Sequence, residues 1–258
     1  MGLSCHSTGA TVLKRGQLKR VEPNWVVVLA GNPNTGKSTL FNSLTGLHQH
    51  TGNWPGKTVL RAEGYYKYQG ENYSLVDLPG TYSLFASSVE EQVARDFIYS
   101  GNYHTVVIVV DATCLERNLN LVLQVLEITS KVIVCVNLLD EATRKGIELD
   151  LQLLSKELGV PVVGTNAREG TGLDKLQEII RGVVQGKINS KPRQIIYDQE
   201  IEFAIKALLP KIAGEGFLTT NPRWLALRLL QGEEVDYNKI KGEMATGLKT
   251  SDLALLGG

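Results

Sequence analysis

The sequence predicts an α/β protein: a mostly parallel six-stranded sheet with helices on both faces, followed by a small all-helical domain. Three observations carry this reading. Short, β-branched apolar runs alternate with helix-patterned stretches between residues 25 and 185. The first of these runs, WVVVLA, passes through G-x-x-x-x-G-K-S, from Gly31 to Ser38, into a stretch with helical apolar spacing. Beyond residue 186 the periodicity is helical only.

Residues 1–24 carry Gly, Ser, Thr and basic residues without periodicity and read as a flexible arm. Within it Lys14, Arg15, Lys19 and Arg20 form a small basic cluster, and the adjacent Cys5 and His6 are too few to make a metal site. The first strand is expected at 25–30 and the first helix at 39–44. Residues 47–57, rich in Gly, Asn, His and Pro, read as a long loop in which His48 and His50 face solvent. Runs at 58–68 and 73–77, joined by a turn at 69–72, predict a hairpin that puts one antiparallel strand on the sheet edge.

Continuous apolar runs at 105–111 and 131–137 predict fully buried strands, with helices at 89–99 and 115–129 between them. A helix at 149–158 leads to a strand at 160–164, and a helix at 172–185 closes the unit. Residues 186–193 read as a linker to helices at 199–213, 222–230 and 237–245. The expected division is an arm at 1–24, a sheet-forming domain at 25–185 and a helical domain at 186–258.

Composition limits the classes available. Hydrophobic content of 43% and charged content of 21% are ordinary for a soluble globular chain. The 27 basic and 27 acidic residues cancel, so no global field draws the chain to nucleic acid or anionic lipid. Three scattered cysteines, Cys5, Cys114 and Cys135, do not make a disulfide framework and fit a reducing compartment. Cys135 lies in an apolar run and reads as a core residue. No apolar run approaches the ~20 residues of a membrane span, and no signal-peptide core is present.

The Gly31–Ser38 segment has the chemistry of a phosphate cradle. Its glycines let backbone N–H groups turn towards an anion at a helix N-terminus. Gly31, Asn32, Asn34, Thr35, Gly36, Lys37, Ser38 and Thr39 are the candidate nucleotide contacts. Lys37 is expected to reach the β- and γ-phosphates and the Ser38 hydroxyl to ligate magnesium. Ligands of such sheets collect at the carboxyl ends of the strands, where Gly31, Asp77, Asn137 and Thr165 all fall.

Residues 77–80 read D-x-x-G, placing Asp77 to hold magnesium through water and the Gly80 N–H to approach a γ-phosphate. Residues 137–140 read N-x-x-D. The Asp140 carboxylate can accept bonds from the N1–H and exocyclic amine of guanine, and adenine offers neither. Asn137 is expected to brace the loop and contact the base or the phosphate cradle.

This order of motifs resembles the Ras-like GTPases of the translation-factor class. More narrowly it is similar to the cytosolic G domain of the FeoB-type bacterial ferrous iron transporters. The residues that carry the narrower likeness are GNPN at 31–34, GNWPGKTV at 52–59, DLPGTYSL at 77–84, DATCLERNL at 111–119 and NLLDE at 137–141. The likeness covers 26–184, and the helical tail is similar to the family's small domain that joins the G domain to the membrane and favours bound GDP.

The resemblance implies a P-loop GTPase fold that binds GTP and GDP and hydrolyses GTP with water. Catalysis would rest on Lys37, Thr58, Gly80 and Asn34. Magnesium would be held by Ser38, Thr58 and Asp77, with Thr51 as the runner-up for the loop ligand. Thr165, Asn166 and Ala167 would border the base, with the Ala167 N–H on the guanine oxygen. Thr81 stands where Ras-like proteins place a water-orienting glutamine, which implies slow intrinsic hydrolysis. Asn34 would bind potassium where an arginine finger otherwise acts.

Leu138 stands where the commonest GTPase version of the motif has lysine, Cys114 and Asn166 stand where the family more often has asparagine and serine, and the arm is longer than usual. The resemblance further implies a cytosolic N-terminal portion at the cytoplasmic face of the bacterial inner membrane. Its partners would be guanine nucleotide and the permease region of the same polypeptide, with homo-oligomerisation left open and no nucleic acid. Two alternatives compete. An RNA-associated GTPase of ribosome assembly would need a basic tail, and a P-loop ATPase is disfavoured by Asn137 and Asp140.

Overall fold

A computed structural model describes residues 23–46, 49–84, 88–214 and 221–230. The readings made for the 1–22 portion of the arm, for Cys5, His6 and the basic cluster, for His48 and for a helix at 237–245 lie outside the described residues.

In chain order the elements are β1 (Trp25–Gly31), α1 (Lys37–Thr45), β2 (Gln49–Asn53), β3 (Leu60–Tyr68), β4 (Glu71–Asp77), α2 (Val89–Ser100) and β5 (Thr105–Asp111). They continue with α3 (Leu115–Ile128), β6 (Val132–Asn137), α4 (Leu139–Arg144), α5 (Leu151–Leu158), β7 (Val162–Gly164) and α6 (Leu173–Val184). The helices α7 (Gln199–Gly214) and α8 (Pro222–Leu230) complete the described chain.

The strands form one sheet of seven, ordered β2-β3-β4-β1-β5-β6-β7, where six were expected. The additional strand is β2, cut from the segment read as a loop. Its sequence, QHTGN, has no apolar face, so nothing in its own pattern marks it as a strand. It is made by its partner: β2 pairs antiparallel with β3, Gln49 opposite Gly64 through to Asn53 opposite Leu60. This end of the sheet therefore carries two antiparallel pairings, β2 with β3 and β3 with β4, and the one strand that runs against the rest, β3, lies second from the edge. His50 lies on β2 and is exposed.

The β3–β4 hairpin turns at Gln69 and Gly70, with φ of 49° and 84°. Two successive positive φ angles match the right-handed twist of the flanking strands. From β4 across to β7 every pairing is parallel. The central strands β5 and β6 are buried on both faces, and alternate residues point to opposite sides. Val106, Ile108 and Val134 meet α2 and α3 residues such as Ile98 and Leu121. Val107, Val109, Ile133 and Cys135 meet Leu40 and Phe41 of α1 and Leu176 and Ile180 of α6.

The segment after α6 has no regular structure, but it is tied along the end of α5. The Lys191 N–H donates to the Gly159 carbonyl at 2.9 Å and the Arg193 N–H to Leu158 at 3.1 Å. Gly159 has φ 72°, and a Cβ there would stand 2.0 Å from the Lys191 carbonyl oxygen. Only glycine fits that crossing.

The helix α8 packs on α3. Asn221 caps the contact, its Nδ2 donating to the Glu127 carbonyl at 2.9 Å and its N–H to Ile128 at 3.3 Å. Trp224 lies buried with its ring 4.2 Å from that of Tyr99 on α2. Among the described residues no helix is long and apolar enough to cross a membrane.

Candidate guanine nucleotide site

The strand ends gather the motif residues on one rim of the sheet. β1 ends at Gly31, β4 at Asp77 and β6 at Asn137, and Thr165 follows β7. The loop between β1 and α1 fits only because of its glycines. A Cβ on Gly31 would stand 2.5 Å from the Val109 carbonyl oxygen, where β1 runs against β5. Gly36 takes φ 79°, and a Cβ there would meet the Asn137 Nδ2 at 2.3 Å.

Asn137 is the keystone of the rim. Its Nδ2 donates to the Thr35 carbonyl at 3.0 Å. Its Oδ1 accepts from the Thr165 hydroxyl at 3.1 Å and from the Ala167 N–H at 3.0 Å. All three partners are buried. This places Thr165 behind the site: its hydroxyl also lies 3.2 Å from Cys135 Sγ and it has no exposure. The Ala167 N–H, expected on the guanine oxygen, donates here to the Asn137 Oδ1. The Ala167 carbonyl accepts from Ser43 of α1 at 2.9 Å. Asn166 is buried and its N–H donates to the Thr171 carbonyl at 3.0 Å.

Asp140 sits in the first turn of α4. Its Oδ2 pairs with Arg144 at 3.1 Å, and its Oδ1 is buried with no hydrogen-bond partner among the described residues. Leu138 precedes α4 in the left-handed region at φ 64°, held there as the chain turns sharply from strand to helix.

The phosphate side is built around Lys37, which is 8% exposed. Its ammonium is paired with the Asp77 carboxylate and donates to the Leu78 carbonyl at 2.6 Å. The lysine expected on phosphate and the carboxylate expected on magnesium are thus partners of each other here, since each is the nearest opposite charge. Burial pushes the Asp77 carboxyl above its ordinary range, against the opposing charge and hydrogen bond of Lys37.

The D-x-x-G segment is docked on the loop. The Leu78 N–H donates to Leu29 at 2.9 Å and the Thr81 N–H to Gly31 at 3.1 Å. Gly80 lies against Pro33, whose Cα and N would stand 3.3 Å from a Cβ there. The Thr81 hydroxyl is buried and donates to the Ser83 carbonyl at 2.6 Å.

Asn32 is 3% exposed, and neither polar atom of its side chain has a partner among the described residues. Ser38 and Thr39 are exposed on the first turn of α1, Asn34 is exposed in the loop at φ 66°, and Thr58 is exposed before β3. One residue of this rim that no motif marks is Gln124 of α3. Its Oε1 accepts the Leu84 N–H at 2.7 Å and fixes the end of the D-x-x-G segment. A polar residue on a helix surface carries no motif that singles it out.

A phosphate loop between strand and helix, a D-x-x-G segment docked upon it and an N-x-x-D strand end braced against it define a P-loop G domain of the GTPase type. The comparisons narrow the class. The family model described as ferrous iron transport protein B matches residues 25–180, and that of the FeoB cytosolic helical domain matches 197–253. The chain belongs to the FeoB family.

It is 40% identical over 227 residues to the Fe(2+) transporter FeoB of Salmonella typhimurium, covering 86% of this chain and 29% of that protein. The chain thus spans under a third of the length of that relative. The structure is similar to the cytosolic domain of the T. maritima FeoB iron transporter in a GDP form, at TM-score 0.75 and 39% identity over 88% of each chain. It is similar also to the GMPPNP form of that domain, at TM-score 0.75 and 37% identity, over 90% of this chain and 92% of the other.

Proposed function

We propose that this chain binds GTP and GDP at the β1–α1 loop, hydrolyses GTP slowly, and is the nucleotide-switched cytosolic part of a bacterial ferrous iron transporter. The observation that carries guanine selectivity is the buried Oδ1 of Asp140, without a partner among the described residues, at the rim that Asn137 braces. An unpaired buried acceptor costs about 1–3 kcal/mol, which a guanine N–H recovers and adenine does not. The family membership and the GDP and GMPPNP forms of the T. maritima relative support the same reading.

In the proposed reaction, water attacks the γ-phosphorus in line and the β–γ bridging oxygen leaves with GDP. Lys37 exchanges Asp77 for the β- and γ-phosphate oxygens, and the Gly80 N–H approaches the γ-phosphate. Ser38, Thr58 and Asp77 are an all-oxygen set that suits magnesium, which when bound neutralises charge on the phosphates. The Thr81 hydroxyl is committed to Ser83 and does not orient water, in keeping with slow turnover. The exposed Asn34 side chain supplies a carbonyl oxygen for potassium beside the phosphates.

The domains proposed are 25–185 for the nucleotide and 186–258 for regulation, with the remaining length of the full transporter forming the permease at the inner membrane. The RNA-associated alternative is not retained, since neither the family nor the balanced charge favours it.

The test is binding and turnover of GTP and ATP in matched potassium and sodium buffers with magnesium. Guanine-selective binding lost in Asp140→Ala, with potassium-stimulated hydrolysis lost in Asn34→Ala, is expected. Equal affinity for ATP would overturn the guanine site, and equal rates in both salts would remove potassium alone.

A further inference from the structure

Trp54 is 7% exposed although Asn53, Pro55, Gly56 and Thr58 around it are exposed. Its ring is clasped from two elements. Phe97 of α2 meets it edge to face, with centroids 5.2 Å apart at 70°, and the Arg61 guanidinium of β3 lies 5.1 Å from its centroid. Both walls are themselves held. Arg61 pairs with Glu63 at 3.0 Å, and Phe97 stacks on Tyr103 at 6.5 Å.

The backbone makes this seat matter for the threonine beside it. The Trp54 N–H donates to the Val59 carbonyl at 2.9 Å and closes the loop 54–59, and the Lys57 N–H donates to the Trp54 carbonyl at 3.0 Å. Lys57 Nζ reaches Gln92 Oε1 of α2 at 3.3 Å, and Val59 packs on the same apolar cluster as Trp54. Thr58 is therefore carried on a short closed loop whose two ends are both fixed to the body of the domain. A loop so pinned has little conformational freedom left to lose when its hydroxyl engages a ligand.

We infer that Trp54 is the positioning residue for Thr58: seated between Phe97 and Arg61, it presents the Thr58 hydroxyl to the metal and γ-phosphate side of the nucleotide. This rests on the proposed role of Thr58. The diphosphate lacks the group that Thr58 serves, so loss of the seat weakens triphosphate binding selectively.

The test is a double-mutant cycle on the full chain, with Trp54→Ala, Thr58→Ala and both together. Affinities for GDP and a non-hydrolysable GTP analogue are read beside thermal unfolding. Each single variant is expected to weaken the triphosphate analogue about tenfold while GDP stays within about twofold, a tenfold change being a modest fraction of such an affinity. The double variant is expected to be no worse than Thr58→Ala alone, because both remove one interaction.

Additive losses, or a parallel fall in GDP affinity, would overturn the inference and leave Trp54 as a packing residue only. Should Trp54→Ala fail to fold, Trp54→Phe keeps a ring against Phe97, and an intermediate selective loss is expected from it. A wild-type chain that binds no guanine nucleotide would instead defeat the functional reading, and this inference with it. An effect of Trp54→Ala without one of Thr58→Ala defeats the inference alone.

Discussion

The side-chain amide of Asn137 donates to the Thr35 carbonyl at 3.0 Å, joining the N-x-x-D strand end to the β1–α1 loop across 102 positions of sequence. The bond is steric as well as polar, since Gly36 is the residue whose missing side chain makes room for it. One amide therefore sets the spacing between where a base and where a phosphate would be held.

Asn137→Ala strips partners from Thr35, Thr165 and Ala167 at once, all of them buried. We expect a loss of about 3 kcal/mol in stability, the scale of a few orphaned buried groups. Urea denaturation reads the loss. A drop in GDP affinity should accompany it, and stability unchanged within error would mean that the bridge is dispensable.

Gln124→Ala releases the Leu84 N–H from its 2.7 Å bond. Amide hydrogen exchange at Leu84 is expected to quicken about tenfold, with the sheet core at Val107 and Val134 unaffected, since local opening draws on local bonds. Mass-spectrometric exchange over this segment checks it. Uniform quickening throughout would point to global destabilisation instead.

The helical part has an acid-sensitive clasp. Hydrogen bonds from Arg223, at 2.7 and 2.5 Å, and from the Tyr197 N–H hold the Glu202 carboxyl down from 4.5 to about 2. A depressed carboxyl stabilises the fold above its unfolded value, and the contribution is lost as pH falls through the folded one. Melting of the wild-type chain should therefore show a pH-dependent loss between 4.5 and about 2 that is reduced in Glu202→Gln. Identical pH profiles for the two would exclude the clasp.

Burial pushes the Cys135 thiol up to about 12, only partly offset by Thr165, whereas Cys114 is exposed. The thiolate is the reactive form. In a Cys5→Ser variant at mildly alkaline pH, a thiol reagent should modify Cys114 first and reach Cys135 only at the rate of unfolding. Rapid modification of both would show that the strand core opens in the native state.

Much of the molecule was legible in the chain. The β-branched runs of β1, β5 and β6 can bury both faces only inside a parallel sheet, so β5 falls on the residues expected, Thr105–Asp111. The helix α8 likewise begins and ends as its pattern predicts, at Pro222 and Leu230. Glycines at Gly31 and Gly36, the lysine between them and Ser38, and the polar strand ends at Asp77 and Asn137 mark the rim on which the motif residues gather, because each position needs a residue type that few others can replace.

What the tertiary structure alone decided is who partners whom. The strand β2 has no apolar face and exists because β3 offers an open edge of backbone donors and acceptors. The Thr165 hydroxyl and the Ala167 N–H both donate to the buried Asn137 Oδ1, a pairing set by which donors the fold brings within reach. The Lys37–Asp77 pair, the Gln124 bond and the seat of Trp54 likewise join residues from separate elements. Local sequence fixes periodicity and backbone permissiveness within one element, whereas these pairings depend on distances that exist only after the elements have packed.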